Sequence, residues 1–347
     1  MTEAAATTLV EAARLALRNE MRRNPNIVVL GEDVCAGGIF GQYKGLVDEF
    51  GPKRIVDTPI AEATMVGAAV GAALVGLRPV VETRFSDFAL SAMDEIVNQA
   101  AKMRYMFGGQ GRVPIVIRMP SGLRHNSAAQ HSQSLEACFA HIPGLVVTAP
   151  ASPADARGLL LAALRCNDPV IHMESKELWQ LTGDLSQTDE AVPLGVAQVV
   201  RRGSDATIVA WSNTVREAMQ AAADLERLAS LSIEVIDLRT LWPWDRQLVK
   251  SSANRTKRLV IAHESVRDVG LGAEIAATIA EELHGTLLAP VRRVASPRIP
   301  VGYSPPLEEV YRVRSARIVK VVAELVGVPL PADPNHRDQE PASSTRH

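Results

Sequence analysis

Cysteine is nearly absent from this chain of 347 residues. Its three thiols, Cys35, Cys138 and Cys166, are odd in number and lie far apart in the sequence. They exclude a disulfide framework and a cysteine-rich zinc site, and they favour a reducing compartment. The first residues also lack the apolar stretch of a signal peptide, so we predict a cytoplasmic location.

An excess of charge of either sign is also missing. Charged residues make up 22% of the chain and the net charge is -2, so we predict neither a nucleic-acid partner nor an acidic membrane surface as a partner. An apolar stretch of small residues without charge follows Glu62 and ends at Arg78-Pro79. It is shorter than the ~20 residues that a bilayer span requires, so we also predict no membrane segment.

Aromatic residues are scarce at 4%, although hydrophobic residues reach 47%. The core is therefore built from Ala, Val, Leu and Ile, which suits helices packed on parallel sheets. Short apolar strands such as residues 27–30 and 113–119 alternate with helical patterns throughout the chain. This alternation predicts an α/β fold with two doubly wound domains.

We predict a first domain over residues 1–175, a linker over 176–196, a second domain over 197–328 and a disordered polar tail over 329–347. Local signals predict a helix capped by Thr7 or Thr8 that ends near Arg23, and a helix with Pro153 at its first position. Further helices are predicted over residues 87–107 and 315–326.

The stretch DTPIAEATMVGAAVGAALVGL, residues 57–77, predicts a buried helix of small residues with one carboxylate, Glu62, in its first turn. The helix dipole favours an anion there. From the spacing alone, Glu62 either stabilises the helix end or takes part in chemistry.

Three segments carry a specific resemblance: AAQHSQSLEACFAHIPGL at 128–145, DTPIAEA at 57–63 and NQAAKMRYMFGG at 98–109. Together they resemble the beta subunit of the thiamine-diphosphate-dependent 2-oxo acid dehydrogenases, over about residues 7–327. The resemblance implies an N-terminal thiamine-pyrimidine-binding domain and a C-terminal transketolase-type domain.

The resemblance also implies roles for three residues. Glu62 matches the carboxyl group that hydrogen-bonds the pyrimidine ring of the cofactor, and Phe88 matches the aromatic side chain that packs on that ring. His131 matches the active-site histidine that assists decarboxylation and acyl transfer. Phe88 could instead be a core residue beside Phe85, and His131 a loop residue hydrogen-bonded to a neighbouring serine. Arg124 is a further candidate for a substrate carboxylate.

A G-D-G segment, which holds the Mg²⁺ and diphosphate in thiamine enzymes, is missing: Gly183-Asp184 is followed by Leu185. The resemblance implies that an alpha subunit carries this half in an α₂β₂ heterotetramer, and that a lipoyl acyltransferase core is a further partner. Potassium is expected near a carbonyl-lined site in the family, but Cys166 stands where Asp is frequent there, and a thiol is a poor potassium ligand.

The resemblance predicts an oxidoreductase that decarboxylates pyruvate, or cleaves acetoin, with acyl transfer to lipoamide. The branched-chain 2-oxo acid enzyme is an alternative within the family, and a transketolase-like half enzyme acting on sugar phosphates is another. A catalytically silent scaffold for the acyltransferase core is the alternative from outside enzymes.

Overall fold

The computed structural model describes residues 6–185 and 190–330. Their strands, in chain order, are β1 Thr7–Thr8, β2 Ile27–Gly31, β3 Ile55–Asp57, β4 Arg78–Glu82, β5 Val116–Ser121, β6 Val146–Thr148, β7 Val170–Ser175, β8 Thr182–Gly183, β9 Gln198–Arg201, β10 Ala206–Ala210, β11 Ile233–Asp237, β12 Thr240–Trp242, β13 Leu259–Val266 and β14 Arg292–Ser296. Their α-helices are α1 Leu9–Arg23, α2 Leu46–Phe50, α3 Glu62–Leu74, α4 Met103–Met106, α5 Glu136–Ala140, α6 Pro153–Arg165, α7 Thr214–Ala229, α8 Arg246–Thr256, α9 Leu271–Glu282, α10 Pro305–Tyr311 and α11 Ser315–Val326. Two 3₁₀-helices, Phe88–Ala92 and Lys176–Leu178, and a π-helix, Glu95–Ala100, complete the set.

Two mainly parallel sheets form the framework, as the alternation of strands and helices predicted. The first has the order β12-β6-β7-β5-β4-β2-β3, and the second has the order β14-β13-β10-β11-β9. Within these two sheets, all neighbouring strands are parallel except that the edge strands β12 and β9 are antiparallel to their neighbours. A third, two-stranded sheet pairs β1 and β8 antiparallel. Edge strand β12 comes from the second half of the chain and pairs with β6 of the first, so the two halves share one sheet.

Apolar cores cover both faces of each sheet, which is the doubly wound arrangement. In the first sheet, α1 and α6 bury residues such as Leu17 and Leu160 on one face, and α3 buries Val66 on the other. The core on the α3 side continues into the second sheet through residues such as Trp211 and Ile261. The two halves of the chain are therefore packed together through a continuous apolar core.

Several helix boundaries confirm the local predictions. The side chain of Thr8 accepts a hydrogen bond from the backbone N–H of Glu11 and caps α1, and α6 starts with Pro153 behind the cap residue Ser152. The small-residue helix α3 begins at Glu62. No helix of residues 6–185 and 190–330 is long and apolar enough to cross a membrane.

The prediction of one continuous helix over residues 87–107 is wrong. A 3₁₀-helix, a π-helix and the short helix α4 replace it. The backbone of Gly144 packs so closely on this segment that a Cβ there would lie 2.0 Å from the carbonyl oxygen of Ala101. This approach coincides with the end of the π-helix, and sequence periodicity carries no sign of it.

The first residues of the predicted linker over 176–196 are more ordered than their polar composition indicated, and residues 186–189 lie outside the described residues. Strand β7 continues to Ser175, and the 3₁₀-helix Lys176–Leu178 follows it directly. Trp179, within the same segment, is fully buried in the core beside α1 and α6. From position 331 onward, the predicted tail lies outside the described residues.

Candidate active site

Glu62 is the first residue of α3, where the unpaired N–H groups of the helix favour a negative charge. The side chain is half-buried. Within the described part of the chain it forms no ion pair with a cationic side chain, and its Oε2 lies 3.1 Å from the hydroxyl oxygen of Ser91. Glu62 therefore keeps acceptor capacity for a further partner.

Ser91 links Glu62 to the segment that carries Phe88. Its hydroxyl also lies 2.8 Å from the backbone carbonyl oxygen of Phe88. In a 3₁₀-helix, side chains three residues apart lie on the same side, so Phe88 and Ser91 face the same space. Because a hydroxyl has one proton, Ser91 can donate fully to only one of its two acceptors at a time.

His131 lies in a loop, and its imidazole packs against two phenylalanine rings. The ring centroids of His131 and Phe85 are 5.0 Å apart with the planes at 67°. The distance to Phe88 is 5.1 Å, with the planes at 88°. Both are edge-to-face contacts. Glu62, Phe88 and His131, which are distant in the sequence, are thus connected through one series of contacts.

The alternative of a loop histidine satisfied by a neighbouring serine does not match these contacts. The hydroxyl of Ser134 lies 3.3 Å from Glu264, and the buried hydroxyl of Ser132 has no partner among the described residues. The imidazole nitrogens of His131 accept or donate no hydrogen bond within the described part of the chain. The ring is therefore available to a bound molecule.

Arg124 belongs to a different cluster. Its guanidinium carbon lies 4.9 Å from the ring centroid of Phe40 and 5.2 Å from that of Trp179. The contacts of Arg124 therefore do not bring it to the phenylalanine pair that surrounds His131.

Two carboxylates that sequence reasoning missed, the buried Asp87 and the half-buried Glu264, hold the loop around His131. Oδ1 of Asp87 accepts hydrogen bonds from the backbone N–H of Gln133 at 3.2 Å and from its amide at 2.8 Å. Oε1 of Glu264 accepts from the backbone N–H of Leu123 at 3.0 Å. Burial raises the pKa of Asp87, and burial raises the pKa of Glu264 to about 7. Glu264 is more than 100 residues away in sequence, so no local signal could have found it.

A metal centre is not built by the described residues, since no three or more of their His, Cys, Asp and Glu side chains are grouped to hold an ion. Around Cys166, the guanidinium of Arg78 donates hydrogen bonds to the backbone carbonyls of Leu164, at 2.9 Å, and of Cys166. A potassium ion at these two oxygens would have to share them with a cation.

Comparisons with known proteins agree with the two-sheet architecture. The family model "Transketolase, pyrimidine binding domain" matches residues 5–181, and "Transketolase, C-terminal domain" matches residues 195–318. Among solved structures, a "Split gene transketolase, inactive beta4 tetramer" superposes with a TM-score of 0.76 at 26% sequence identity. That alignment covers 93% of this chain and 98% of the other.

Several curated proteins are more similar in sequence than this solved structure, and they align over nearly the full length of both chains. The acetoin:2,6-dichlorophenolindophenol oxidoreductase subunit beta of Bacillus subtilis is 41% identical, covering 93% of this chain and 98% of the relative. The pyruvate dehydrogenase E1 component subunit beta of Rickettsia felis is 42% identical, covering 92% and 98%. The 2-oxoisovalerate dehydrogenase subunit beta of Bacillus subtilis is 39% identical, covering 91% and 97%.

Proposed function

Because the chain belongs to the family of beta subunits of the thiamine-dependent 2-oxo acid dehydrogenases, we propose that it forms the pyrimidine-binding half of such an active site and oxidatively decarboxylates pyruvate, or cleaves acetoin, together with an alpha subunit. The acyl group passes to lipoamide on an acyltransferase core. The observation that supports this most is the contact series from Glu62 through Ser91 and Phe88 to His131.

The side chains of this series fit the pyrimidine half of thiamine diphosphate. A half-buried carboxylate without an ion-pair partner in the described part of the chain suits a ring nitrogen that must be hydrogen-bonded. Phe88 supplies an aromatic ring beside it. The residues of this chain do not fit the diphosphate half of the cofactor, because the sequence has no G-D-G segment for a metal-bound diphosphate. We assign the diphosphate and its Mg²⁺ to the alpha subunit.

Each residue then has a stated task. Thiamine diphosphate supplies the reactive carbon and the electron sink when it is bound. Glu62 holds a proton at the pyrimidine nitrogen, and Phe88 excludes water from the same side. His131 donates or accepts a proton at the substrate, since a neutral imidazole has one ring nitrogen that donates and one that accepts.

Co-expression with an alpha subunit tests the proposal. The two chains together are expected to reduce 2,6-dichlorophenolindophenol when pyruvate or acetoin is added with thiamine diphosphate and Mg²⁺. Glu62→Gln and His131→Ala are expected to abolish this activity without preventing assembly. If both variants assemble and remain fully active, the site assignment is wrong. Turnover of branched-chain 2-oxo acids, without turnover of pyruvate or acetoin, would show that the protein is a branched-chain 2-oxo acid dehydrogenase subunit instead.

The structural similarity to the split-gene transketolase supports a second candidate function. A transketolase-like half enzyme would act on sugar phosphates and would need no lipoamide. Relatives near 40% identity are dehydrogenase subunits, so we favour the first function. Sugar-phosphate turnover without 2-oxo acid turnover would reverse this preference. By analogy with that neighbour, which is an inactive β₄ tetramer, we expect this chain alone to self-associate and to be inactive.

A further inference from the structure

Lys176 is a buried lysine close to His131. It follows β7 as the first residue of a 3₁₀-helix, and only 2% of its surface is exposed. Removing an ammonium group from water is costly unless other groups compensate. The contacts of the Lys176 ammonium group must therefore offset the cost of its burial.

Those contacts lead to His131. The Nζ of Lys176 donates a hydrogen bond to the backbone carbonyl oxygen of His131. It also lies 4.8 Å from the ring centroid of Phe85, within the range of a cation–π interaction. Phe85 is one of the two rings that contact the imidazole of His131. One ammonium group thus contacts both the backbone of His131 and one of the two rings that pack on its imidazole.

Gln133, in the same loop as His131, is held by hydrogen bonds that do not involve Lys176. Gln133 is held by Asp87, and its carbonyl also accepts a hydrogen bond from the hydroxyl of Ser86 at 2.9 Å. Within residues 6–185 and 190–330, by contrast, the contact with Lys176 is the single hydrogen bond of His131. Loss of the ammonium group would leave the imidazole positioned by ring packing alone.

We propose that Lys176 is a positioning residue that fixes the backbone of His131 and so holds its imidazole between Phe85 and the substrate. This inference rests on the proposed function of His131. Burial lowers the pKa of Lys176 to about 8, so the side chain is still mainly a cation at neutral pH. Lys176 does not touch the reacting atoms, so its effect passes through His131.

The test uses Lys176→Met in the full-length chain, with His131→Ala as the assignment variant and Lys102→Met as the matched control. Lys102 also donates from Nζ to a backbone carbonyl, that of Pro143 at 2.8 Å, away from His131. Histidine Cε1–H resonances are recorded for the chain with ¹³C-labelled histidine. The resonance of His131 is the one that disappears in His131→Ala.

We expect Lys176→Met, but not Lys102→Met, to move the His131 resonance toward that of an unstructured histidine, because the ring currents of Phe85 and Phe88 are lost. In the complex with the alpha subunit, kcat is expected to fall ~10- to 100-fold with little change in KM, as for a misplaced catalytic group. Lys176→Arg is expected to recover part of this loss.

An unmoved resonance together with unchanged kcat would overturn the proposal. If Lys176→Met does not fold, Lys176→Gln replaces it. The shorter side chain is expected to shift the resonance in the same direction, and an unmoved resonance in that folded variant would also overturn the proposal. If His131→Ala is fully active, the proposed function of His131 fails. The resonance shift still decides separately whether Lys176 positions the ring.

Discussion

The carboxylate of Glu62 lies 3.1 Å from the hydroxyl of Ser91, although one begins α3 and the other lies in the 3₁₀-helix that follows β4. The contact joins a helix end that favours an anion to the segment that presents Phe88. Ser91 therefore orients Glu62, whereas the carboxyl group itself is the part that meets the cofactor in our proposal.

The two residues are expected to differ strongly in their effect on activity. Glu62→Gln removes the carboxyl group that we propose holds a proton at the cofactor, and should lower kcat by ~100-fold or more. Ser91→Ala removes one orienting contact and should lower kcat by only about threefold to tenfold, the effect of a single hydrogen bond. Steady-state assays of the assembled complex provide both values. An equal loss in the two variants would contradict the division of roles.

Phe88 allows a prediction about binding. Phe88→Ala removes the ring that we propose packs on the pyrimidine, and with it one of the two rings beside His131. We expect the apparent affinity for thiamine diphosphate to fall by ~10-fold, in line with about 1.5 kcal/mol for an aromatic contact. Phe88→Tyr keeps the ring and serves as the control. Unchanged cofactor affinity in Phe88→Ala would show that this ring does not contact the cofactor.

A buried ion pair in the first sheet predicts a large effect on stability. Nη2 of Arg118 donates to Glu174 at 2.7 and 3.0 Å, and both side chains are almost fully buried. Arg118→Leu leaves a buried carboxylate without its cation, so the free energy of unfolding should fall by about 3–5 kcal/mol.

The exposed pair of Arg104 and Asp168 is the matched control for this ion pair. Arg104→Leu should lower the free energy of unfolding by about 0–1 kcal/mol, because water and salt screen exposed charges. Urea denaturation of the full-length chain measures both variants. Similar losses in the two would show that burial does not determine the value of the Arg118 pair.

Glu264 predicts how stability depends on pH. Burial raises its pKa to about 7 in the folded chain, with the charge of Glu177 as a further cause. The folded chain then binds more protons than the unfolded chain between about pH 4.5 and pH 7, so this group lowers stability as pH rises through that window. Glu264→Gln cannot ionise and should gain stability relative to the original chain between pH 5 and pH 8. Thermal unfolding at both pH values checks this, and a constant difference would contradict it.

Much of the fold could be predicted because local signals coincided with tertiary packing. Thr8 caps α1, Pro153 starts α6, and α3 begins at Glu62, each at the position that the sequence indicated. The broken helix over residues 87–107 could not be predicted, since its irregularity accompanies a distant backbone contact at Gly144. Edge strand β12 was missed for the same kind of reason, because its partner β6 lies some 90 residues earlier in the chain.

In the candidate site, too, contacts between residues far apart in the chain could not be predicted from the sequence. Glu62, Phe88 and His131 were predicted from the resemblance, and their roles stay predictions. Lys176 and Glu264 were missed, because a single charged residue gives no pattern in the sequence until the fold brings it to its partner. The supports of the His131 loop come from elements far apart in the chain, so only the structure reveals them.

Titration of thiamine diphosphate with Mg²⁺ into this chain alone, and then into the chain assembled with an alpha subunit, tests most directly whether the cofactor site is shared. Isothermal titration calorimetry should detect no binding to the lone chain at concentrations below ~1 mM. It should detect tight binding to the assembled complex, and this binding should weaken in Glu62→Gln. Stoichiometric, tight binding of the cofactor and metal by the lone chain would contradict the shared site.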